Sequence, residues 1–235
     1  MIGLCTDSGA RLPGLLVQRY DIEIVPLTLR LGDEEYLDGV DAHPAALGSV
    51  CPSTVAVAPP SPGQFALAYE RLAERGVTEI LSIHGGNGSG PLGPARLAAK
   101  HSPVPVRLVD PGTVGFGVGC ATWAAAERLA TGADLDAVIA ALAALEIGSV
   151  ALTPVNGGTD CAAAAIAREA LSWRDTVRLN VAVGAVDASG EVVRDAVCHL
   201  LRQSPQVNDV VAFRIGPCEG AGLAPGSTGA YFFPA

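Results

Sequence analysis

The sequence predicts an α/β fold in two domains, on three observations. Short β-type runs alternate with helical patterns along the chain, which gives a largely parallel or mixed sheet covered by helices. The pattern pauses and restarts after Gly148, setting domains of 1–147 and 148–235. At 235 residues the chain can bury one large core or two smaller ones.

Taken in order, Ile2 to Cys5 reads as an opening strand that ends in Thr6-Asp7-Ser8, and Leu12 to Tyr20 as a short helix entered through Pro13. Asp21 to Leu31 is one extended segment, and a Gly32-Asp33 turn returns the chain through Glu35 to Leu37. Pro62 to Arg75 is a helix with Ser61 as its N-cap and proline at its first position, both favourable start signals. Thr113 to Thr131 and Leu135 to Leu145 are Ala-rich helices split at Gly132. The second domain reads as a strand at Ser149 to Leu152, a helix at Ala162 to Trp173 and a strand at Val177 to Val186. A turn at Ala188-Ser-Gly190 then leads to a helix from Glu191 to Arg202, with strands at Asp209 to Ile215 and Gly229 to Phe233.

Between Thr78 and Asp110 an apolar run meets six residues, Gly85 to Gly90, of which four are glycine; a short helical pattern and a second β-type run follow. Strand, glycine turn and helix N-terminus together make a natural anion site, because free N–H groups and the helix dipole converge there.

Composition removes several classes of function. Only 17% of residues are charged and mean hydropathy is +0.37, yet no stretch approaches the roughly 20 apolar residues of a membrane span. Net charge is −9, and the basic residues, among which Lys100 is the one lysine, are scattered rather than clustered. That pattern offers no phosphate-backbone footprint, so nucleic acid is excluded as a partner. It also leaves no P-loop sequence and no well-placed Schiff-base lysine. The six cysteines are widely spaced without a C-x-x-C pair, which argues against zinc and against a disulfide framework. The N-terminal MIGLCTDSG lacks signal-peptide organisation, and a reduced, cytoplasmic location is expected.

Three chemistries compete for the glycine segment. Gly88-Ser-Gly90-Pro-Leu-Gly93 fits the dinucleotide fingerprint G-x-G-x-x-G, and Asp110 ends the next strand at the distance of a ribose-binding acid. Against it, Pro91 and Pro94 interrupt the turn and the motif lies mid-chain. Ser89 as a nucleophile fails the G-x-S-x-G spacing, with Asn87 and Pro91 two positions away, and a lone His84 at a strand end is more often a packed, hydrogen-bonded residue than a base. In the third, Ser89 offers its hydroxyl and Gly90 its N–H to a carboxylate or phosphate while apolar walls hold a greasy tail. The bland reading of the same glycines is a tight turn with Ser89 capping the following helix.

Several segments, in order, resemble one family. These are Thr6-Asp7-Ser8 with Leu12-Pro13, Val25-Pro26-Leu27 with Tyr36-Leu37-Asp38-Gly39, Pro60-Ser-Pro-Gly-Gln-Phe65, and Ser89-Gly90 with Ala95. Val109-Asp110 with Gly115 to Gly119 continues the likeness, as does the tail from Gly216-Pro217 through Pro225-Gly226 to Gly229 and Phe232. The chain resembles DegV proteins, a bacterial fatty-acid-binding family, well over residues 1 to about 147 and thinly from there to about 210. The resemblance implies a three-layer α/β N-terminal domain and a smaller C-terminal α/β domain. It also implies one long-chain fatty acid in a buried tunnel between them, its carboxylate at Ser89 and Gly90. In related proteins a separate kinase phosphorylates the bound acid, so this protein would be a carrier and not an enzyme, with the fatty acid as ligand and no cofactor or metal.

The departures are as specific. Val57-Ala58-Pro59 stands where the family has Thr-Ser-Gln, Pro91 replaces a threonine, Gly222-Leu223-Ala224 replaces His-Thr-Gly, and Gly157-Gly158 is at most a remnant of a Gly-Gly-Arg segment. The second domain is also shortened. Asp7, Ser8, Val57, Ser61 and Gly222 are the further pocket positions expected, with Thr54, His84 and Asn87 as residues that can supply the missing polar groups. The reading is a lipid carrier with an altered carboxylate site. Its alternatives are a nucleotide-binding protein or enzyme using the Gly88 to Gly93 turn, and a vestigial domain without a tight ligand.

Overall fold

The computed structural model describes residues 1–41, 55–86, 90–152, 158–174, 177–216 and 223–235. The chain divides into two compact units, Met1–Ala144 and Leu145–Ala235. Among the described residues no helix is long and apolar enough to cross a membrane.

The first unit opens with β1 (Ile2–Asp7), a 3-10 turn (Ser8–Ala10), α1 (Gly14–Arg19) and β2 (Glu23–Val25). There follow β3 (Thr28–Leu31), β4 (Glu34–Leu37), β5 (Val55–Ala58), α2 (Pro62–Glu74) and β6 (Glu79–Ile83). α3 (Leu92–Ala99), β7 (Val106–Val109), α4 (Phe116–Ala130) and α5 (Leu135–Ala143) complete it. The main sheet runs β2-β1-β6-β7, parallel throughout, and a small antiparallel sheet runs β4-β3-β5. One face of the main sheet buries Cys5, Val25 and Ile80 against Phe65, Ala68, Tyr69 and Leu72 of α2 and Ala95 and Ala98 of α3. The alternate residues Leu4, Leu81 and Ile83 are buried too, and α4 meets β1 and β6. Every residue of α4 from Phe116 to Ala126 is buried, as its uncharged FGVGCATWAAA sequence demands of a helix apolar on all sides.

Helix α2 starts where its local chemistry directs. The Ser61 hydroxyl accepts from the Gln64 N–H, the Gln64 side chain accepts from the Ser61 N–H, and Pro62 takes the first position. The extended segment expected at Asp21 to Leu31 is instead two strands in different sheets. Proline at 26 has no N–H for a ladder, and the chain changes sheets at Pro26-Leu27. Strand β5, which pairs with β3, has no counterpart among the elements expected from sequence.

The second unit holds β8 (Gly148–Leu152), α6 (Gly158–Ser172), β9 (Leu179–Ala185), α7 (Ala188–Arg202), β10 (Val207–Arg214) and β11 (Thr228–Pro234). Its sheet runs β10-β9-β11-β8, with β9 and β10 parallel and β11 antiparallel to both its neighbours. Ile166 and Ala170 of α6 and Val197 and Leu201 of α7 pack over Val181, Val183 and Phe232. Ala188-Ser-Gly190, expected as a turn before a helix, is the first turn of α7 itself. The reason is Asp187, whose Oδ1 accepts from the Ser189 and Gly190 N–H groups and whose Oδ2 accepts from the Gly226 N–H.

The Ser189 hydroxyl, and then the Gly190 and Gly226 amides, hold the Asp187 carboxyl at about 2 instead of 3.8. Its stabilisation is therefore complete above about pH 4 and is lost as pH falls through about 2. Asp187→Ala should cost about 1–2 kcal/mol in urea unfolding at neutral pH, the usual loss for an N-cap. It should also flatten the acid limb of the stability curve; an unchanged limb would remove Asp187 as its source.

Candidate functional site

Open parallel sheets bind ligands beyond the carboxyl ends of their strands, where successive connections leave in opposite directions. The chain goes from β1 outward to β2 on one side and reaches β6 and then β7 on the other. That rule points to the edge beyond β1 and β6, with Asp7 and Ser8 at one strand end and His84, Gly85 and Gly86 at the other.

These ends are fastened together by side chains. Thr6 Oγ1 donates to the Ile83 carbonyl at 2.8 Å. Cys5 is opposite Ser82 in the β1–β6 register, so the two-residue alternation of strands brings Asp7 beside His84. His84 Nδ1 lies 2.8 Å from Asp7 Oδ2 and its Nε2 2.7 Å from Ser82 Oγ, which is in turn 3.0 Å from the Tyr69 hydroxyl. Asp7 Oδ1 accepts from the Gly9 N–H at 3.0 Å. The His84 ring meets Phe65 edge-on, with centroids 4.9 Å apart. Tyr69, Ser82 and His84 are fully buried and Asp7 nearly so. Burial pushes the adjacent Cys5 thiol up to about 12 and holds the Tyr69 phenol well above its ordinary value, so both keep their protons.

Serine, histidine and aspartate at these distances have the spacing of a nucleophile, its base and the base's orienter. Access is what they lack. Ser82 has no exposed surface, and its oxygen is 3.0 Å from the Tyr69 hydroxyl. The chain is a structural clasp between β1, β6 and α2.

A second clasp joins the end of β1 to β4. Ser8 Oγ donates to Asp38 Oδ2 at 2.8 Å and accepts from the Leu27 N–H at 3.0 Å. Arg11 donates to the same carboxylate at 3.0 Å, with Asp38 buried and Arg11 nearly so.

The glycines act by close approach. A Cβ on Gly85 would lie 2.3 Å from the Thr113 carbonyl oxygen, and one on Gly90 would lie 2.9 Å from both the Gly85 oxygen and the Gly86 Cα. Residues 85, 86 and 90 thus pack backbone to backbone beyond β6. Helix α3 follows with Pro91 as its N-cap and no side-chain cap bond from that residue.

Of the residues expected at the site, Asp7, Ser8, His84 and Gly90 gather at the ends of β1 and β6. Ser61 is committed to capping α2, and Val57 is exposed on β5. Thr54, Asn87, Ser89 and Gly222 lie outside the described residues. Sequence reasoning missed Ser82 and Tyr69. Their signal was the matched alternation Cys5-Thr-Asp7 and Ser82-Ile-His84, which becomes readable only once the register of β1 against β6 is known.

The dinucleotide alternative is not favoured. The third glycine of that fingerprint exists so that helix and strand can pack closely, but a Cβ on Gly93 would meet nothing within 4 Å. Asp110 turns its carboxylate to the Gly112 N–H, 2.9 Å away in its own loop. Among the described residues no group of three or more His, Cys, Asp or Glu is placed to hold a metal.

The fold is an α/β architecture in two units, the first built on a parallel sheet. The family model described as "Uncharacterised protein, DegV family" matches residues 1–151, and the chain belongs to the DegV family. A DegV domain-containing protein of Streptomyces coelicolor is 33% identical over 188 residues, covering 76% of this chain and 67% of that one. Against the DegV domain-containing proteins of Streptococcus pyogenes and Mycobacterium tuberculosis, the chain spans about half of their length. Among solved structures, a fatty-acid-binding DegV family protein of Thermus thermophilus superposes with a TM-score of 0.78 at 23% identity, over 100% of this chain and 99% of that one. A stearic acid-binding protein of Eubacterium ventriosum gives 0.74 at 15% identity, over 100% and 98%. At these identities the likeness is one of fold.

Proposed function

We propose that the protein is a non-enzymatic carrier of a long-chain fatty acid or similar lipid, with the head group held by Ser89 and Gly90 beyond β6. The observation that carries this reading is the glycine packing at the switch point, where Gly85, Gly86 and Gly90 hold backbone against backbone at the edge on which such sheets bind ligands. Family membership and the fatty acids named for structural relatives support the ligand class. The buried Ser82 supports a binding role over hydrolysis. The buried free thiols Cys5, Cys120 and Cys198 suit a reducing compartment, and a cytoplasmic location belongs to the proposal.

Energetics shape the ligand. Each hydrogen bond lost from a charged carboxylate removes roughly 1.5–3 kcal/mol, and Val57-Ala58-Pro59 and Gly222-Leu223-Ala224 each delete a polar group relative to the family pattern. A tail contributes about 0.8 kcal/mol per buried CH₂, so roughly two to four methylenes offset each such loss. Retention is therefore driven by the tail. The kinase partner that the family resemblance implies acts on the carboxylate, and the altered head-group site weighs against that transfer here.

Native mass spectrometry of the freshly purified protein, with solvent extraction of whatever it carries, tests the reading. One fatty acid per chain is expected. A protein that arrives empty and takes up no added stearate would end the carrier proposal. Ser89→Ala should weaken stearate retention roughly tenfold, about one charged hydrogen bond, and unchanged retention would remove Ser89 as a head-group ligand.

A further inference from the structure

We infer that His84 is a positioning residue for the glycine backbone at the head-group edge, its ring held between Asp7 at Nδ1 and Ser82 at Nε2. The inference deepens the lipid-carrier reading and rests on it only for the identity of the ligand.

Both ring nitrogens have partners. The Asp7 carboxylate accepts from the Gly9 N–H through Oδ1 and, 2.8 Å from His84 Nδ1, accepts there as well. Nε2 lies 2.7 Å from the Ser82 hydroxyl, which lies 3.0 Å from the Tyr69 hydroxyl.

The ring is also held mechanically. Phe65 of α2 lies edge-on to it, and the His84 N–H donates to the Val109 carbonyl of β7 at 3.0 Å. The His84 ring therefore ties β1, β6 and α2 while its backbone N–H ties β7, and the next residue is Gly85, seated on the Thr113 carbonyl, followed by Gly86 against Gly90. Rotation of the ring would have to break both ring-nitrogen hydrogen bonds, so the glycine backbone inherits a fixed starting point. An apolar core at the same place would give comparable stability with less directional constraint.

The test uses the full chain with His84→Phe, which keeps the ring and the Phe65 contact, and His84→Asn, which keeps a donor for Asp7. Three quantities are read: imidazole ¹⁵N shifts in the unmodified protein, amide exchange at Gly85, Gly86 and Gly90 against reporters in α4 and β9, and stearate retention. A proton on Nδ1, the nitrogen that faces the Asp7 carboxylate, is expected. In His84→Phe the three glycines should exchange about tenfold faster with the reporters unchanged, while His84→Asn stays within about threefold of the original. Stearate retention should follow the same order. If His84→Phe does not fold, Ser82→Ala serves instead, with about threefold faster exchange at the three glycines. Unchanged glycine exchange in the variant that folds, equal behaviour of the Phe and Asn variants, or a His84 with no proton on Nδ1 would overturn the inference. If the unmodified protein takes up no stearate, the carrier reading fails while the shifts and the exchange still decide the role of His84.

Discussion

Gly85→Ala is expected to destabilise the first unit by about 3 kcal/mol, whereas Gly93→Ala, eight residues on in the same motif, should stabilise it by up to about 1 kcal/mol. The first Cβ would enter space already held by the Thr113 carbonyl oxygen at 2.3 Å, with Val118 Cγ2 at 2.8 Å behind it. Relief cannot come from a rotamer, because the nearest atom belongs to the backbone just ahead of α4. Either the Thr113 to Gly115 stretch moves or Gly85 leaves the strand end, and each breaks packing around His84. Gly93 has nothing within 4 Å and lies in the first turn of α3, where alanine only improves helix propensity. Urea unfolding of both variants measures the pair. Equal effects would mean that the glycines are there for flexibility and not for close approach, and the account of the head-group edge would fall with them. Gly85→Ala should also lose bound lipid before it loses fold, since the displaced backbone is the one that leads toward the proposed head-group residues.

The contrast between these two glycines shows what one sequence can disclose. Both belong to the run from Gly85 to Gly93, which stood out at once as a turn between strand and helix, and nothing local distinguishes them. What separates them is Thr113, twenty-eight residues beyond Gly85, brought there by the fold. The start of α2 was legible because Ser61, Pro62 and Gln64 act within one turn of each other. Asp187 was equally local, yet Ser189-Gly190 reads as a turn unless the carboxylate is seen to gather their amides. β5 was missed because Val55-Ala-Val-Ala58 is four residues long, precedes two prolines and pairs with a strand some twenty-five residues earlier. At the site, Asp7, Ser8 and His84 were named from their places at strand ends, but as pocket groups. The structure joins Asp7 and His84 across the register of β1 and β6, 77 positions apart, and bonds Ser8 to Asp38, 30 positions on.

The second clasp predicts the other large effect. Asp38→Ala removes a buried carboxylate that accepts from Arg11 at 3.0 Å and from the Ser8 hydroxyl at 2.8 Å. Deleting one partner of a buried pair typically costs about 3–5 kcal/mol, because the remaining charge must be accommodated without it. Arg11 retains some solvent contact, its side chain being 13% exposed, so the lower end of that range, about 3 kcal/mol, is expected. Asp38→Asn keeps an acceptor of the same shape and should cost less. The decisive comparison is the double variant Arg11→Met with Asp38→Ala, in which both charges of the pair are gone. It should be more stable than Asp38→Ala alone, a coupling of the kind seen between contacting residues. Urea unfolding of the wild type, both single variants and the double variant gives the cycle. Strictly additive costs would mean that Arg11 and Asp38 act separately. In that case the link from the end of β1 to β4 would rest on the Ser8 hydroxyl, which bridges Asp38 and the Leu27 amide, and Ser8→Ala would then reproduce most of the loss.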